Sequence, residues 1–484
     1  MTGLARSKTL PGDLATRPPG LASARAALTN GASVVDLVGE GWRRTNAAAQ
    51  DGVFIAIAEE TSVLAEARRI DERRAGGVFL PLDGLTFSVK DNVHVAGFPT
   101  TASCEAIRIL PEESAYAVAR LQAAGAVVVA KNTLDQFATG LNGTRSAEPL
   151  CRNAVDSDYI PGGSSSGSAV AVARGLTSFS IGTDTGGSGR VPAACNGIVG
   201  VKPTLGLVSG RGLLYNSRLF DTLSVFALDT ADAYEILAVM AGHDPHDPYS
   251  REDADAVETH AVSAGRMILA TPRADQLSFF GDSRAEAAFA ADLAALRAAG
   301  YTLEEVDFTP FEAAGKLLFD SAFIAERLIE YGAVIEASPE MVHPAVRAAI
   351  EPGARYSAQQ AFEAIYRLES LKRQVACVFR EHDALVLPTT PTIFTIAEML
   401  AEPTSRNAAM GRYTYFANPL DLCAASVPGT GRSDGLPSAL SILARATGDA
   451  VVHGVARSFE AAVRSRLTET GPDCVRDRPL GIVR

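Results

Sequence analysis

The chain has 484 residues, of which 47% are hydrophobic, and a formal net charge of −12. That length allows about three domains and a substantial core, although a large α/β sheet can run long without splitting. The acidic balance argues against a nucleic-acid ligand, which calls for a basic face, and no apolar run reaches the ~18 residues of a membrane span.

The first residues, MTGLARSKTLPGD, carry positive charge with no apolar stretch behind them, so no signal peptide is expected and a cytoplasmic location is predicted. Residues 1–75 are rich in Ala, Arg and Glu, and FIAIAEETSVLAEARRIDERR has apolar residues at helical spacing, which predicts a helical arm. Leu85 to Lys90 (LTFSVK) reads as a buried strand ending in a lysine. Ser114 to Ala124 reads as a helix with Ser114 as N-cap and Gly125 just past its end. AVVVAK then reads as a strand, and strand, helix and strand alternate again through residues 166–202. That alternation favours a mixed sheet covered by helices. A long Ala-rich helix is predicted from Asp282 to Gly300, a buried strand entering a Pro-rich loop over 384–392 (ALVLPTTPT), and a late core strand within 434–445 (DGLPSALSILAR). No repeat, low-complexity linker or charge block marks a boundary. The reading is an α/β core over residues 76–460, preceded by the arm at 1–75 and followed by a tail at 461–484.

The cysteines, Cys104, Cys151, Cys195, Cys377, Cys423 and Cys474, are scattered and form no C-x-x-C, so free thiols are expected and no metal. HDPHDP (243–248) has metal-ligand residue types but no partner cluster, and reads as a polar turn.

The chemistry concentrates between Pro161 and Thr204, PGGSSSGSAVAVARGLTSFSIGTDTGGSGRVPAACNGIVGVKPT. Glycines there keep side-chain bulk away from backbone N–H groups and hydroxyls, a composition suited to acyl transfer. A serine needs something to take its proton, and two routes are open. Gly163 to Gly167 matches G-x-S-x-G, the nucleophile elbow, with His343, His382 and His453 later in the chain. The preceding DSDYIPGG is a poor strand, however, and a Gly/Ser-rich loop meets the pattern almost automatically. The other route uses Lys90 as base, which needs a pKa drop of roughly three units, of the kind burial supplies. The plain alternative for Lys90 is a salt bridge to Asp91 or another acid.

SVKDN, GGSSSGS, GTDTGGSGRVPA and GIVGVKPT, in that order and spacing, resemble the amidase signature family over roughly residues 80–446. The resemblance implies a single large α/β domain, its central mixed β-sheet covered by helices on both faces. It implies a triad of lysine, a serine held after a cis peptide bond, and a second serine. Counting back from Ser188 without a gap puts the middle member at Ser164, so the triad is Lys90, Ser164 and Ser188. The N–H groups of Thr185, Gly186, Gly187 and Ser188 correspond to the family's oxyanion hole. Ser165, Asp184 and Arg190 take supporting roles, and Ser166 and Ser168 are expected to cap the following helix.

Within the family the chain looks most like allophanate hydrolases, in LDQFATGLNGTRS (134–146), ALDTADAYEIL, LPTTPTIFTIAEML and YTYFANPLDLCAASVP. The resemblance then implies release of ammonia from a small anionic amide, with Arg327 as substrate-binding cation; by sequence alone Arg327 also reads as a surface helix charge. Gly140, Asn142 and Phe319 are the other substrate-side positions. Phe319 stands where a tyrosine is usual, Asn142 where an aliphatic residue is common, and Gly186 where alanine is common; Ser438 and Ala439 also depart from the pattern. Many relatives carry a further C-terminal domain, and the amidase portion alone is expected to release the first ammonia. The alternatives are an amidase on another small amide, ureido acid or carboxylated urea derivative, and an amidase-like component of an amidotransferase complex. No cofactor, membrane or nucleic-acid partner is expected, and a homodimer is expected from the family alone.

Overall fold

The computed structural model describes residues 20–262 and 267–469. Residues 1–19 of the arm and 470–484 of the tail, with Cys474, lie outside the described residues.

A single mixed sheet organises the chain. Its strands are β1 (Phe54–Ile57), β2 (Thr86–Lys90), β3 (Val127–Asn132), β4 (Phe179–Asp184), β5 (Val199–Lys202), β6 (Thr222–Ala227), β7 (Ile268–Pro272), β8 (Thr302–Val306), β9 (Ala384–Pro388), β10 (Leu422–Pro428) and β11 (Ala439–Arg445). Among the described residues the sheet has 11 strands in the order β1-β3-β2-β4-β6-β5-β10-β11-β9-β7-β8. β2 runs parallel to both β3 and β4, and β7 parallel to both β8 and β9. The remaining pairs are antiparallel.

Strand alternation divides the core between the two faces. On β10, Cys423, Ala425 and Val427 join a core that includes Val455 and Phe459 of the helix Asp449–Glu469. Leu422 and Ala424 turn the other way, against Leu371 and Val375 of the helix Ala358–Glu381. The sheet is thus flanked by helices on both faces, as the resemblance implied. Helices at Tyr116–Ala123 and Ser283–Ala298 agree with their predicted positions. Ser114 is not a cap; its hydroxyl accepts from the Ala96 N–H at 3.1 Å.

Two expectations are corrected. Phe54–Ile57 is an edge strand antiparallel to β3, and the helix after it begins only at Glu60. Its apolar residues fit either period over so short a run, and pairing with β3 decides between them. At the other end, the last helix runs through residue 460, and Val463 is buried in the main core, so the fold does not give way to a tail there. Among the described residues no helix is long and apolar enough to cross a membrane, and the described cysteines are free.

Candidate active site

Because β2 and β4 are parallel, with Val89 opposite Ile181, both strands deliver their C-terminal ends to one edge of the sheet. On β2, Phe87 and Val89 fill the core, which sends Ser88 and Lys90 to the opposite face. Lys90 is fully buried there. Its Nζ donates to Thr183 Oγ1 at 2.7 Å and to Ser164 Oγ at 2.8 Å, and Ser164 Oγ donates to Ser188 Oγ at 2.9 Å. The adjacent Asp91 pairs instead with buried Lys131 at 2.9 Å, so the salt-bridge alternative for Lys90 is not what forms. Burial, partly opposed by the charges of Asp221, Asp135 and Asp184, brings the Lys90 pKa down to about 7. An amine so poised can take a proton relayed along two hydroxyls.

The bond between Gly163 and Ser164 is cis. Asp135 links two loops: its N–H donates to the Ser164 carbonyl at 3.1 Å, and its carboxylate accepts from the N–H groups of Asn142, Gly143 and Arg145 at 3.0–3.2 Å. The Ser165 hydroxyl donates to the Thr183 carbonyl at 3.2 Å, a bracing role. None of the three candidate histidines bonds a serine of this loop: His343 caps the helix Pro344–Ile350, His382 lies 3.3 Å from Glu304, and His453 stacks on Tyr234. The elbow reading is therefore set aside. Ser166 and Ser168 sit inside the first turn of the helix Ser166–Ala173 rather than capping it, and Ser168 donates to the Ile181 carbonyl at 3.2 Å.

The turn from Asp184 to Arg190 presents Ser188. Arg190 Nε and Nη2 each lie 3.0 Å from the Asp184 carboxylate, both residues being fully buried. Burial pushes Asp184 up, but the Arg190 guanidinium and the Gly189 N–H prevail and hold it below the usual carboxylate range. One of the four expected oxyanion donors is lost to this brace: the Gly187 N–H donates to Asp184 Oδ1 at 2.8 Å. The N–H groups of Thr185, Gly186 and Ser188 meet no acceptor among the described residues. Gly187 has φ +134, a conformation that demands glycine.

A cavity of about 800 Å³ opens over Ser188, lined by Thr185, Gly186, Gly140, Phe319 and Tyr415 among others. Arg327 lies behind Phe319, its guanidinium 5.1 Å from the ring centre. It is 1% exposed, which excludes the surface-charge reading. Its Nε donates to Asn216 Oδ1 at 3.0 Å, whereas Nη1 and Nη2 are buried without an acceptor. Asn142 does not belong to the substrate side. Its side chain is used up by the Thr144 N–H at 2.8 Å and hydroxyl at 2.9 Å and by Asn407 at 2.8 Å. A short amide beside a turn satisfies local backbone before it reaches a ligand.

The family profile described as Amidase matches residues 36–452. The chain belongs to the amidase family. It is an amide hydrolase. It is 34% identical over 403 residues to urea amidolyase of Saccharomyces cerevisiae, covering 83% of this chain and 22% of that protein. This amidase thus spans about a fifth of the length of that relative. Kluyveromyces lactis allophanate hydrolase superposes with a TM-score of 0.86 at 30% identity, covering 93% of this chain and 73% of that one. A glutamyl-tRNA(Gln) amidotransferase component of Chloroflexus aggregans is 34% identical over 443 residues, covering 84% of this chain and 88% of that protein.

Several residues that position this amidase's site carry no motif signal. Strand period places Thr183 with Phe179 and Ile181, on the face opposite Lys90, so its bond to Lys90 at the strand end could not have been found that way. Nor could Asp221. Burial pushes its carboxyl up to about 6, and it accepts from the Thr185 hydroxyl and, at 2.7 Å, from the Asn216 N–H. It thereby ties the nucleophile turn to the residue that holds Arg327. Asp244 and Asp247 of the histidine-containing turn bind the Ser209 hydroxyl at 2.8 and 3.0 Å, a polar turn. Among the described residues no group of three or more His, Cys, Asp or Glu is placed to hold a metal ion.

Proposed function

We propose that this amidase hydrolyses allophanate. Ser188 attacks the terminal carbonyl while its proton passes through Ser164 to neutral Lys90. The oxyanion is received by the N–H groups of Gly186 and Ser188, each such donor contributing roughly 10²–10³ in rate. The C–N bond breaks as Ser164 returns a proton to nitrogen, releasing ammonia. Water then hydrolyses the acyl-enzyme to an unstable dicarboxylate that loses CO₂. The observation that carries the choice of substrate is Arg327, a buried guanidinium whose two terminal nitrogens have no acceptor. A small carboxylate in the adjoining cavity would satisfy it, and a bidentate pair of this kind adds geometric selection to affinity.

The likeness to the amidotransferase component over most of its length favours a second reading, an amidase acting on glutamine or another small amide. Ammonia release from allophanate, biuret, malonamate, glutamine and simple aliphatic amides separates the two. Allophanate should be turned over best, and turnover of glutamine above allophanate would defeat the proposal. The same reading includes a cytoplasmic homodimer, which light scattering of the purified chain tests.

A further inference from the structure

Arg327 is held so that its terminal nitrogens stay free, and the residue that holds it belongs to no motif. Asn216 lies in the cavity wall and is buried. Its Nδ2 donates to the Phe137 carbonyl at 3.0 Å and to Thr139 Oγ1 at 2.8 Å. With both donors committed, the amide has one orientation, which turns Oδ1 toward Arg327 Nε at 3.0 Å. The Asn216 N–H is fixed as well, on Asp221 Oδ2 at 2.7 Å.

The consequence lies in the shape of a guanidinium. A carboxylate can pair with its fork side-on, through Nε and one terminal nitrogen, or end-on, through both terminal nitrogens. Asn216 occupies Nε, so end-on pairing is the bidentate arrangement left, and Nη1 and Nη2 are the nitrogens without an acceptor. The Phe319 ring lies against the guanidinium with its centre at 5.1 Å, so a ring and an amide hold the group together. Phe319 lacks the hydroxyl of the usual tyrosine, and the fixed polar group beside the cation is an amide from another part of the chain.

The anchor of that amide is itself specialised. Phe137 and Ala138 have φ +57 and +53, a region where non-glycine residues are uncommon. The Phe137 ring stacks on Tyr331 at 4.2 Å, about one turn beyond Arg327 on the helix Glu326–Ala337. The loop 137–139, Asn216 and the helix that carries the cation thus close into a ring of contacts.

We infer that Asn216 is a positioning residue for substrate recognition: by claiming Nε and anchoring itself to the loop 137–139, it presents the two terminal nitrogens of Arg327 to the substrate carboxylate. The inference rests on the proposed anionic substrate.

The test compares kcat/KM for malonamate and malonamide, which differ in the anionic end, in wild type, Asn216→Ala, Asn216→Asp and Thr139→Val. A loss common to both substrates cancels in their ratio. The malonamate preference should fall by about 10-fold in Asn216→Ala, mainly through KM for malonamate, a factor that corresponds to about 1.4 kcal/mol. It should fall at least as far in Asn216→Asp, which keeps the volume but loses both amide donors and sets a competing carboxylate against Arg327. A role confined to filling space would leave the preference in Asn216→Asp at the wild-type value. Thr139→Val loosens the amide without touching Arg327 and should lower the preference by about threefold; it decides alone if the Asn216 variants do not fold. An unchanged ratio in any folded variant overturns the inference. A wild type with no preference for malonamate defeats the anionic-substrate reading instead, and is recognised before any variant is compared.

Discussion

Lys90 is the residue on which the chemistry turns, because burial has moved its proton affinity into the working range. With a pKa of about 7, kcat/KM for a neutral amide should rise with pH on an acid limb centred near that value, measured between roughly pH 5.5 and 8.5. A flat profile would remove Lys90 as the base. The same shift bears on stability. The unfolded lysine keeps its ordinary value of 10.5 while the folded one titrates near 7, so between these the unfolded chain binds more protons and stability rises with pH. Lys90→Met should therefore abolish hydrolysis yet raise the melting temperature at about pH 6, with the difference shrinking toward about pH 10. A variant that melts below wild type at low pH contradicts this. Ser188→Ala should lose activity by about 10³-fold or more with an unchanged melting curve.

At the scale of elements, the turn between β4 and the helix Val191–Asn196 is built on one carboxylate. Asp184 receives Arg190, the Gly187 N–H and the Gly189 N–H, the last at 3.0 Å. Asp184→Asn leaves a fully buried guanidinium without its charge partner, which costs about 3–5 kcal/mol. Thermal unfolding should show a clear drop, and a midpoint within experimental error of wild type would mean that the brace is not structural. This turn also shows what could be read from the chain. Lys90, Ser164, Ser188, Asp184 and Arg190 stand in local patterns whose spacing survives without coordinates, and the structure brings all five together. The fate of the Gly187 N–H was not legible, because it depends on where a side chain three residues back points. Nor was Asn142, whose amide is claimed by Asn407, remote in sequence. Phe54–Ile57 was misread because a four-residue apolar run has no period of its own.

At the scale of the whole molecule, a nucleophile from one part of the chain lines the cavity, and a cation from another lies behind the Phe319 that walls it. A small dicarboxylate such as malonate should bind it and stabilise the fold by about 2.7 kcal/mol at a hundredfold excess over its Kd. The shift in melting temperature should vanish in Arg327→Gln and persist in Ser188→Ala. Persistence in Arg327→Gln would place the anion elsewhere. The division within the chain has a further meaning. The cutting groups sit on β2, in the loop between β3 and β4 and in the turn after β4, whereas Phe319 and Arg327 arrive on the segment between β8 and β9. Selection acting on that segment would alter what is recognised and leave untouched how it is cut. Inheritance of a new diet would then need only a handful of changes in one contiguous stretch of gene, and a laboratory library confined to that stretch inherits the same advantage.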